Sequence, residues 1–406
     1  MSTTTGVWLI GARGGIATCM AVGLAAIRKG LVGTEGLVTA RELFQPLGLI
    51  PLEGLVLGGH EIRKTTLRES AAEYRARAGL LSPELIAEAL DDLTAVDGRI
   101  MPGTALGCGP AIAGLKGVGG LLERKLKPAK IAERLTQDLR AFAESAKVDR
   151  LVVLNIASTE PYRQEPPGFT RDLAGFEKAL AAGAEGLSAG MLYACAALRA
   201  GAAYVNFTPT LASELPALAE LAAKRGLPHC GKDGKTGETL MKTALAPMFV
   251  ERNFRVLSWE GYNIFGNRDA VVLDNPENNL AKTSGKDAAL RGILKDGRTH
   301  TRVRIDYCPS LDDWKTAWDF VHFQGFLGTR MILQFIWQGC DSMLAAPLAI
   351  DLVRLADNAL RRGESGVMRH TACFFKQPVG SKTHDFFAQS RILAEYVAAR
   401  AGGEPA

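Results

Sequence analysis

Gly6-Val-Trp-Leu-Ile10 runs into Gly11-Ala-Arg-Gly-Gly-Ile-Ala17 and then into the apolar segment Thr18 to Lys29. A short buried-type strand, a glycine turn and a helix in that order make an anion cradle of the dinucleotide type, because the first backbone N–H groups of the helix face the turn. The spacing is G-x-x-G-G-x-A instead of G-x-G-x-x-G, so on this stretch alone a tight turn that merely needs glycine explains the residues equally well.

The following segments extend the pattern. Gly54-Leu-Val-Leu57 is a second strand candidate ending in Gly58-Gly-His-Glu61, where a carboxylate could accept from a ribose hydroxyl or simply sit solvated in a loop. Apolar runs at 151–155 and 203–206 lead into Ala157-Ser-Thr-Glu160 and Thr208-Pro-Thr210, and they alternate with alanine-rich helical stretches near 130–145 and 173–200. That alternation predicts an α/β chain with a Rossmann-like, doubly wound parallel sheet over 1–240. After Thr239 the apolar runs near 255–262, 301–308, 329–337 and 368–376 suit a mixed or antiparallel sheet, an α+β domain placed at 241–344. Ser342 to Arg361 reads as a long helix closed by Gly363, and the segment 345–406 completes the first domain; the end, Ala401-Gly-Gly-Glu-Pro-Ala406, reads as a frayed tail.

Composition narrows the class. The chain has 406 residues, 47% hydrophobic and 22% charged, enough for a large core divided between two domains. Its 48 basic and 43 acidic residues leave a net charge of +5 with no basic stripe, which argues against nucleic acid and is compatible with an anionic small substrate. No run of eighteen apolar residues and no signal-type start at Met1-Ser-Thr-Thr-Thr5 occur, so a cytoplasmic protein without membrane contact is expected. Seven scattered cysteines without a C-x-x-C pattern suit free thiols in a reducing compartment. The six histidines are isolated and show no metal spacing.

Chemistry concentrates in polar, glycine-punctuated stretches of the second half. Gly231-Lys-Asp-Gly-Lys-Thr-Gly237 lacks the spacing of a Walker loop, since His229 stands where glycine is required. It reads as a turn opening a helix from Glu238 to Val250, with Asp233, Lys235 and Thr236 placed to contact a ligand, or as a solvated capping turn. Ser284 with Asp287 resembles a capping box, which predicts Lys286 in a first helical turn. A lysine there opposes the helix dipole by about 0.3–1 kcal/mol, a conflict that a bound anion would remove, with Lys282 closing from the preceding loop. Two lysines in a mobile surface loop are the alternative. Lys315 follows Asp312-Asp-Trp314, a carboxylate pair that could orient it by a salt bridge, with desolvation as an alternative or added influence on its pKa, and Lys376 ends the apolar run Thr371-Ala-Cys-Phe-Phe375; taken singly, both read more often as ordinary surface lysines.

At these residues the chain resembles the myo-inositol-1-phosphate synthase family, from Gly11 to about Lys376. The family's G-D-D-x-K-S-G-Q-T appears as Gly231-Lys-Asp-Gly-Lys-Thr-Gly-Glu-Thr239, and its N-x-x-G-N-x-D-G as Asn263-Ile-Phe-Gly-Asn-Arg-Asp-Ala270. Its S-K-x-x-S-K appears as Ala281-Lys-Thr-Ser-Gly-Lys286, and its G-D-S-K or G-D-W-K as Asp312-Asp-Trp-Lys315. Glu160, Asn206 with Pro209, and Cys340-Asp-Ser342 also fall at family motifs.

The resemblance implies an NAD-dependent, redox-neutral conversion of D-glucose 6-phosphate to 1D-myo-inositol 3-phosphate, the first step of inositol biosynthesis. The implied course is oxidation at C5, enolisation, intramolecular aldol closure and reduction. It implies that Asp233, Lys282, Lys286, Lys315 and Lys376 are catalytic or phosphate-binding, with Asp233 a proton-relay partner near the nicotinamide. It places Gly14, Gly15, Ile16, Ala17, Glu61, Ala157, Ser158, Thr159, Thr208, Asp233, Thr236, Asn267, Asp269 and Asp341 on NAD. It further implies a sugar phosphate substrate, a homotetramer built through the second domain's sheet, and a lid, for which residues 274–290 are suited. Family members differ in using a divalent metal or a monovalent cation such as ammonium, and no dedicated metal cage is legible here. Lys232, Ala281, Gly285, Phe207 and Ala270 depart from the motifs, chiefly at the substrate end. The alternatives are a cyclase or oxidoreductase of the same fold acting on another sugar phosphate, and a non-catalytic NAD-binding regulatory protein.

Overall fold

The computed structural model describes residues 3–401, and the expected tail from Gly402 onward lies outside them. The strands are β1 (Thr5–Ile10), β2 (Leu55–Glu61), β3 (Ile100–Pro102), β4 (Arg150–Asn155), β5 (Ala203–Asn206), β6 (Pro228–Gly231), β7 (Arg255–Phe265), β8 (His300–Tyr307), β9 (Trp314–Gln324), β10 (Arg330–Cys340) and β11 (Gly366–Val367). They form a seven-stranded sheet in the order β11-β6-β5-β4-β1-β2-β3 and a four-stranded sheet in the order β10-β9-β7-β8. The first is parallel throughout, as the alternation of apolar strands and helices predicts. Its order reverses direction between β1 and β4, and the crevice outside the strand ends at such a switch point is where open α/β sheets bind ligands.

Strand β1 is buried over its whole length, so it reads as an unbroken apolar run and not as an alternation. The helix Gly15–Arg28 packs on one face of the sheet, together with the helix Asp341–Arg361, which also contacts β4 and β5. Thr5 Oγ1 donates to Asp357 Oδ1 at 2.6 Å, tying that late helix to the first strand. The helical stretch 173–200 is two helices, Leu173–Ala182 and Ala189–Ala200, because Gly183 and Gly186 adopt φ of 68° and 91° between them.

In the second sheet β7 and β8 are parallel while β9 is antiparallel to both β7 and β10, so the sheet is mixed. Two expectations fail here. Residues 368–376 supply no strand to it; Arg369–Phe374 is a 3₁₀ turn whose Phe374 and Phe375 are buried in the core of the first unit. The central strand β9 has no counterpart in the apolar runs, because its inward positions are Ala317, Asp319 and Val321 and a buried acid interrupts the hydrophobic signal.

The segment 274–290 is not a loop lid. It belongs to a helix, Pro276–Leu294, capped by Asn275, whose side chain accepts from Glu277 N at 3.0 Å, with Pro276 in the first turn. Lys286 therefore lies inside the helix and not at its start. Ser284 Oγ turns back to Ala281 O at 3.5 Å and caps nothing. Gly285 is tolerated within the helix because Gln377 packs against it; a Cβ there would lie 2.1 Å from Gln377 Nε2. Among the described residues no helix is long and apolar enough to cross a membrane.

Candidate active site

One continuous cleft runs from the ends of β1, β2 and β4 to the junction with the second sheet. At its first end Gly11 adopts a φ of +86°, and a Cβ there would lie 3.1 Å from Ala157 Cα, so both conformation and space demand glycine. Gly14 precedes the helix Gly15–Arg28, whose N-terminus has no side-chain cap and no acidic residue in its first turn. Its orphan N–H groups are thus left for an anion. Ala17 is buried within this helix and does not line the cleft, whereas Gly14, Gly15 and Ile16 do.

Glu61 ends β2 as a buried residue, not a solvated loop acid. Its carboxylate accepts from Arg13 N at 2.7 Å, Ile62 N at 2.8 Å and Arg63 N at 3.0 Å. Three backbone donors fix its orientation on the cleft wall, where it can accept a hydroxyl. Ala157, Ser158, Thr159 and Thr208 follow β4 and β5 and face the same space. Phe207 also lines it, and its ring lies on Gly234, where a Cβ would be 2.1 Å away.

At the second end, ammonium and carboxylate groups alternate. Lys376 Nζ donates to Asp233 Oδ1 at 2.7 Å, Lys315 Nζ lies 3.5 Å from Asp341 Oδ2, and Lys282 Nζ pairs with Asp269. All six residues line the cleft. Asp233 adopts a φ of 61° and is 2% exposed, and its Oδ2 is buried without a partner. Such an orphan carboxylate oxygen beside a cleft calls for a donor from a bound molecule. Thr236 Oγ1 donates to Asp341 Oδ1 at 3.1 Å.

Environment separates the lysines. Burial opposes the charge on Lys282, but Asp269, Asp233 and Asp341 more than offset it and raise its pKa, so it is a fixed cation. Burial lowers the pKa of Lys376, and although Asp233 pulls it back, Lys282 and Lys315 add to the lowering. Asp341 is held well below the usual carboxylate range; burial works against this, and Lys315, Lys282 and Lys376 overcome it.

Several predicted placements are corrected. Lys315 is not oriented by its neighbouring acids: Asp312 binds Arg77 Nε at 2.6 Å, and Asp313 takes its bonds elsewhere, while Lys315 lies over the Phe265 ring at 4.5 Å. Lys235 turns away from the cleft, donating to Gln389 Oε1 at 2.7 Å. Lys286 lies outside the cleft lining, 2% exposed, donating to Glu238 Oε2 at 2.7 Å and Asn263 Oδ1 at 2.9 Å. Asn267 lines the cleft, accepts from Ala270 N at 3.0 Å, and donates to Asp313 Oδ1 at 2.7 Å.

Sequence reading passed over Asp313 as a working residue and Glu238 as the partner of Lys286. The spacing of Glu238 and Lys242, four apart on one helix, was the available signal for the second. Among the described residues no group of three or more His, Cys, Asp or Glu is arranged to hold a metal ion. The cleft carboxylates Asp233, Asp269 and Asp341 are each paired with an ammonium group.

The glycine turn, the uncapped helix start, the oriented Glu61 and the orphan Asp233 oxygen together fit a dinucleotide lying along the switch point. Comparison with known proteins points the same way. Inositol-3-phosphate synthase 1 of Bacteroides thetaiotaomicron is 34% identical over 414 residues, covering 96% of this chain and 94% of that protein. A myo-inositol-1-phosphate synthase-related protein from Thermotoga maritima is 26% identical with a TM-score of 0.78, covering 97% of this chain and 98% of that one. Inositol-3-phosphate synthase from Caenorhabditis elegans, at 22% identity, shares the fold with a TM-score of 0.87 over 99% of this chain and 86% of its own. The family model described as myo-inositol-1-phosphate synthase matches residues 5–398, and the chain belongs to that family.

Proposed function

We propose that the chain is an inositol-3-phosphate synthase, an isomerase that cyclises D-glucose 6-phosphate to 1D-myo-inositol 3-phosphate with no net redox change. The observation that carries this reading is the cleft itself, which joins a dinucleotide-type glycine turn to the paired ammonium groups of Lys282, Lys315 and Lys376. When bound, NAD would supply the reversible hydride chemistry that a redox-neutral conversion needs. Gly14, Gly15 and Ile16 would hold its pyrophosphate, Glu61 would accept from a ribose hydroxyl, and Ala157, Ser158, Thr159, Thr208, Thr236, Asn267, Asp269 and Asp341, which line the same cleft, would flank it.

The lysines carry the rest. A ketone at C5 makes the C6 proton acidic, and enolisation and aldol closure each place negative charge on oxygen. Ammonium groups fixed beforehand in a water-poor site stabilise those charges without reorganising. Lys282, kept charged by its acids, serves as a constant cation for phosphate or oxyanion. Lys376, whose proton is loosened by burial, is suited to give and retake a proton at Nζ, with Asp233 Oδ1 holding it in place. Lys315, braced by Asp341 and Phe265, completes the ring of positive charge.

Incubation with glucose 6-phosphate and a catalytic amount of NAD⁺, followed by phosphorus NMR, tests this. An inositol phosphate resonance without net accumulation of reduced cofactor is the expected result. A keto-sugar phosphate, or no product, overturns the cyclising reading.

The chain works as a homo-oligomer, a tetramer by family resemblance. Tyr262, Trp318 and Ile336 are register partners across β7, β9 and β10 and are 38%, 38% and 70% exposed on one sheet face, with Ile332 at 58% beside them. An apolar row of this kind suits a second copy of the chain. Ile336→Asp is expected to lower the mass seen by light scattering to that of a smaller assembly, and an unchanged mass would refute this use of the face. The seven cysteines are all free thiols, which suits the cytoplasm.

A further inference from the structure

Phe207 lines the cleft but takes no part in the chemistry proposed above, and its ring packs against the sequence neighbours of both members of the Asp233–Lys376 pair. A Cβ built on Gly234 would lie 2.1 Å from Cζ, 2.2 Å from Cε1 and 2.6 Å from Cε2 of the ring, so the ring fills the side-chain place of the residue after Asp233. The same ring meets Phe375, the residue before Lys376, edge to face, with centroids 6.4 Å apart and planes at 63°. Both phenylalanines are buried.

The main chain brings the same segments together. Phe207 follows β5, and its N–H donates to Asn155 O at 2.9 Å at the end of β4, so the ring is carried by the central sheet. Gly234 N donates to Phe207 O at 3.0 Å, Asp233 N to Thr208 O at 3.1 Å, and Lys376 N to Asp233 O at 2.7 Å. Segments 207–208, 233–234 and 375–376, far apart in sequence, thus meet at one point. Asp233 holds a φ of 61° there, a conformation that a residue with a side chain adopts only where its surroundings impose it.

We propose that Phe207 is a positioning residue for the Asp233–Lys376 pair: its ring, wedged between Gly234 and Phe375, fixes both segments so that the unpartnered Oδ2 of Asp233 and the ammonium of Lys376 face the bound molecule. The inference rests on the reading of Lys376 as the group that gives and retakes a proton. Hydrogen bonds set the path of the two segments, but a turn that includes a glycine can still rock about them. The ring removes that freedom by packing on the bare Cα of Gly234. The φ of Gly234 lies outside the left-handed region, so space and not conformation requires glycine at this place. Phe207 and Gly234 are therefore one matched pair, in which the ring needs the missing side chain.

The test starts from Phe207→Ala and Phe207→Leu. Loosening the pair is expected to lower kcat about a hundredfold in Phe207→Ala and less in Phe207→Leu. KM for glucose 6-phosphate and NAD affinity should stay within about threefold, because every charged group is still present. In a Lys376→Met background Phe207→Ala should add almost nothing to the loss of turnover, since the group it positions is gone; a general loosening of the fold would multiply the two effects. Gly234→Ala drives a Cβ into the ring and should lower kcat as Phe207→Ala does, whereas joined to Phe207→Ala it should do no further harm, because the ring's place is empty. A kcat within about threefold of the unmutated chain in Phe207→Ala, a multiplied loss with Lys376→Met, or normal turnover by Gly234→Ala overturns the proposal. If Phe207→Ala does not fold, a crystal structure of Phe207→Leu decides: displacement of Lys376 Nζ from its 2.7 Å contact with Asp233 Oδ1 supports the proposal, and an unmoved pair refutes it. Absence of inositol phosphate from the unmutated chain would instead refute the function proposed above, and the same crystallographic comparison would still decide the role of the ring.

Discussion

Lys376→Met is expected to reduce turnover of glucose 6-phosphate by about a thousandfold while leaving NAD binding measurable. Methionine matches the stem and removes the ammonium. Asp233 Oδ1 then loses its 2.7 Å partner, and Oδ2 already has none, so a carboxylate 2% exposed is left with no side-chain donor. Breaking a buried pair from one side costs about 3–5 kcal/mol. Thermal melts should therefore show a clear loss of stability. The double variant Asp233→Asn with Lys376→Met should melt higher than Lys376→Met alone, because the stranded charge is gone, yet recover no activity. A turnover within tenfold of the unmutated chain would remove Lys376 from the chemistry.

The parts of this arrangement that were legible from residues alone are local ones. The glycine turn at Gly11–Gly15 announces itself because a positive φ and a close backbone approach both require glycine, and those constraints act over a few residues. Glu61 was legible as a carboxylate at a strand end, though its three backbone donors come from the first glycine turn and its own loop and were not. Thr236, Asp269, Asp341 and the lysines Lys282, Lys315 and Lys376 do gather on one cleft, as their motifs implied.

Partner choice was not legible, since it depends on distant segments. Lys315 follows two acids in sequence and binds neither, because distant segments claim them, Arg77 taking Asp312 and Tyr74, Asn267, Cys340 and Ser342 taking Asp313, while Lys315 reaches Asp341. Lys286 was misplaced for a different reason. Ser284 and Asp287 imitate a helix start, while the actual start, Asn275-Pro276, lies nine residues upstream of Ser284 and hides behind a run of polar residues. The buried Asp319 likewise concealed β9.

Asp313→Asn, nearly identical in shape, is expected to be as damaging to the fold as Asp313→Ala. The Asp313 carboxylate accepts from Tyr74 OH at 2.7 Å, Cys340 Sγ at 2.7 Å, Ser342 N at 2.9 Å, Ser342 Oγ at 3.0 Å and Asn267 Nδ2 at 2.7 Å. Burial, and then Asp313 itself, pushes the Cys340 thiol up to about 12, so it remains a donor. Each carboxylate oxygen faces a donor-only N–H, Asn267 Nδ2 at Oδ1 and Ser342 N at Oδ2, so an amide would set its NH₂ against one of them whichever way it turned. The contacts also join separate parts of the cleft: Tyr74 belongs to the helix Leu67–Ala78 beside the first sheet, Asn267 caps the helix Arg268–Leu273, and Ser342 sits against Gly15 at the anion cradle. Either substitution should cost about 3–5 kcal/mol over its several lost hydrogen bonds, read as a melting temperature lower by roughly 3–6 °C, and weaken NAD binding about tenfold as the cradle loses its brace. Calorimetry on both variants decides it. If Asp313→Asn melts like the unmutated chain while Asp313→Ala does not, the site needs only an acceptor of the right shape, and the requirement for a carboxylate is wrong.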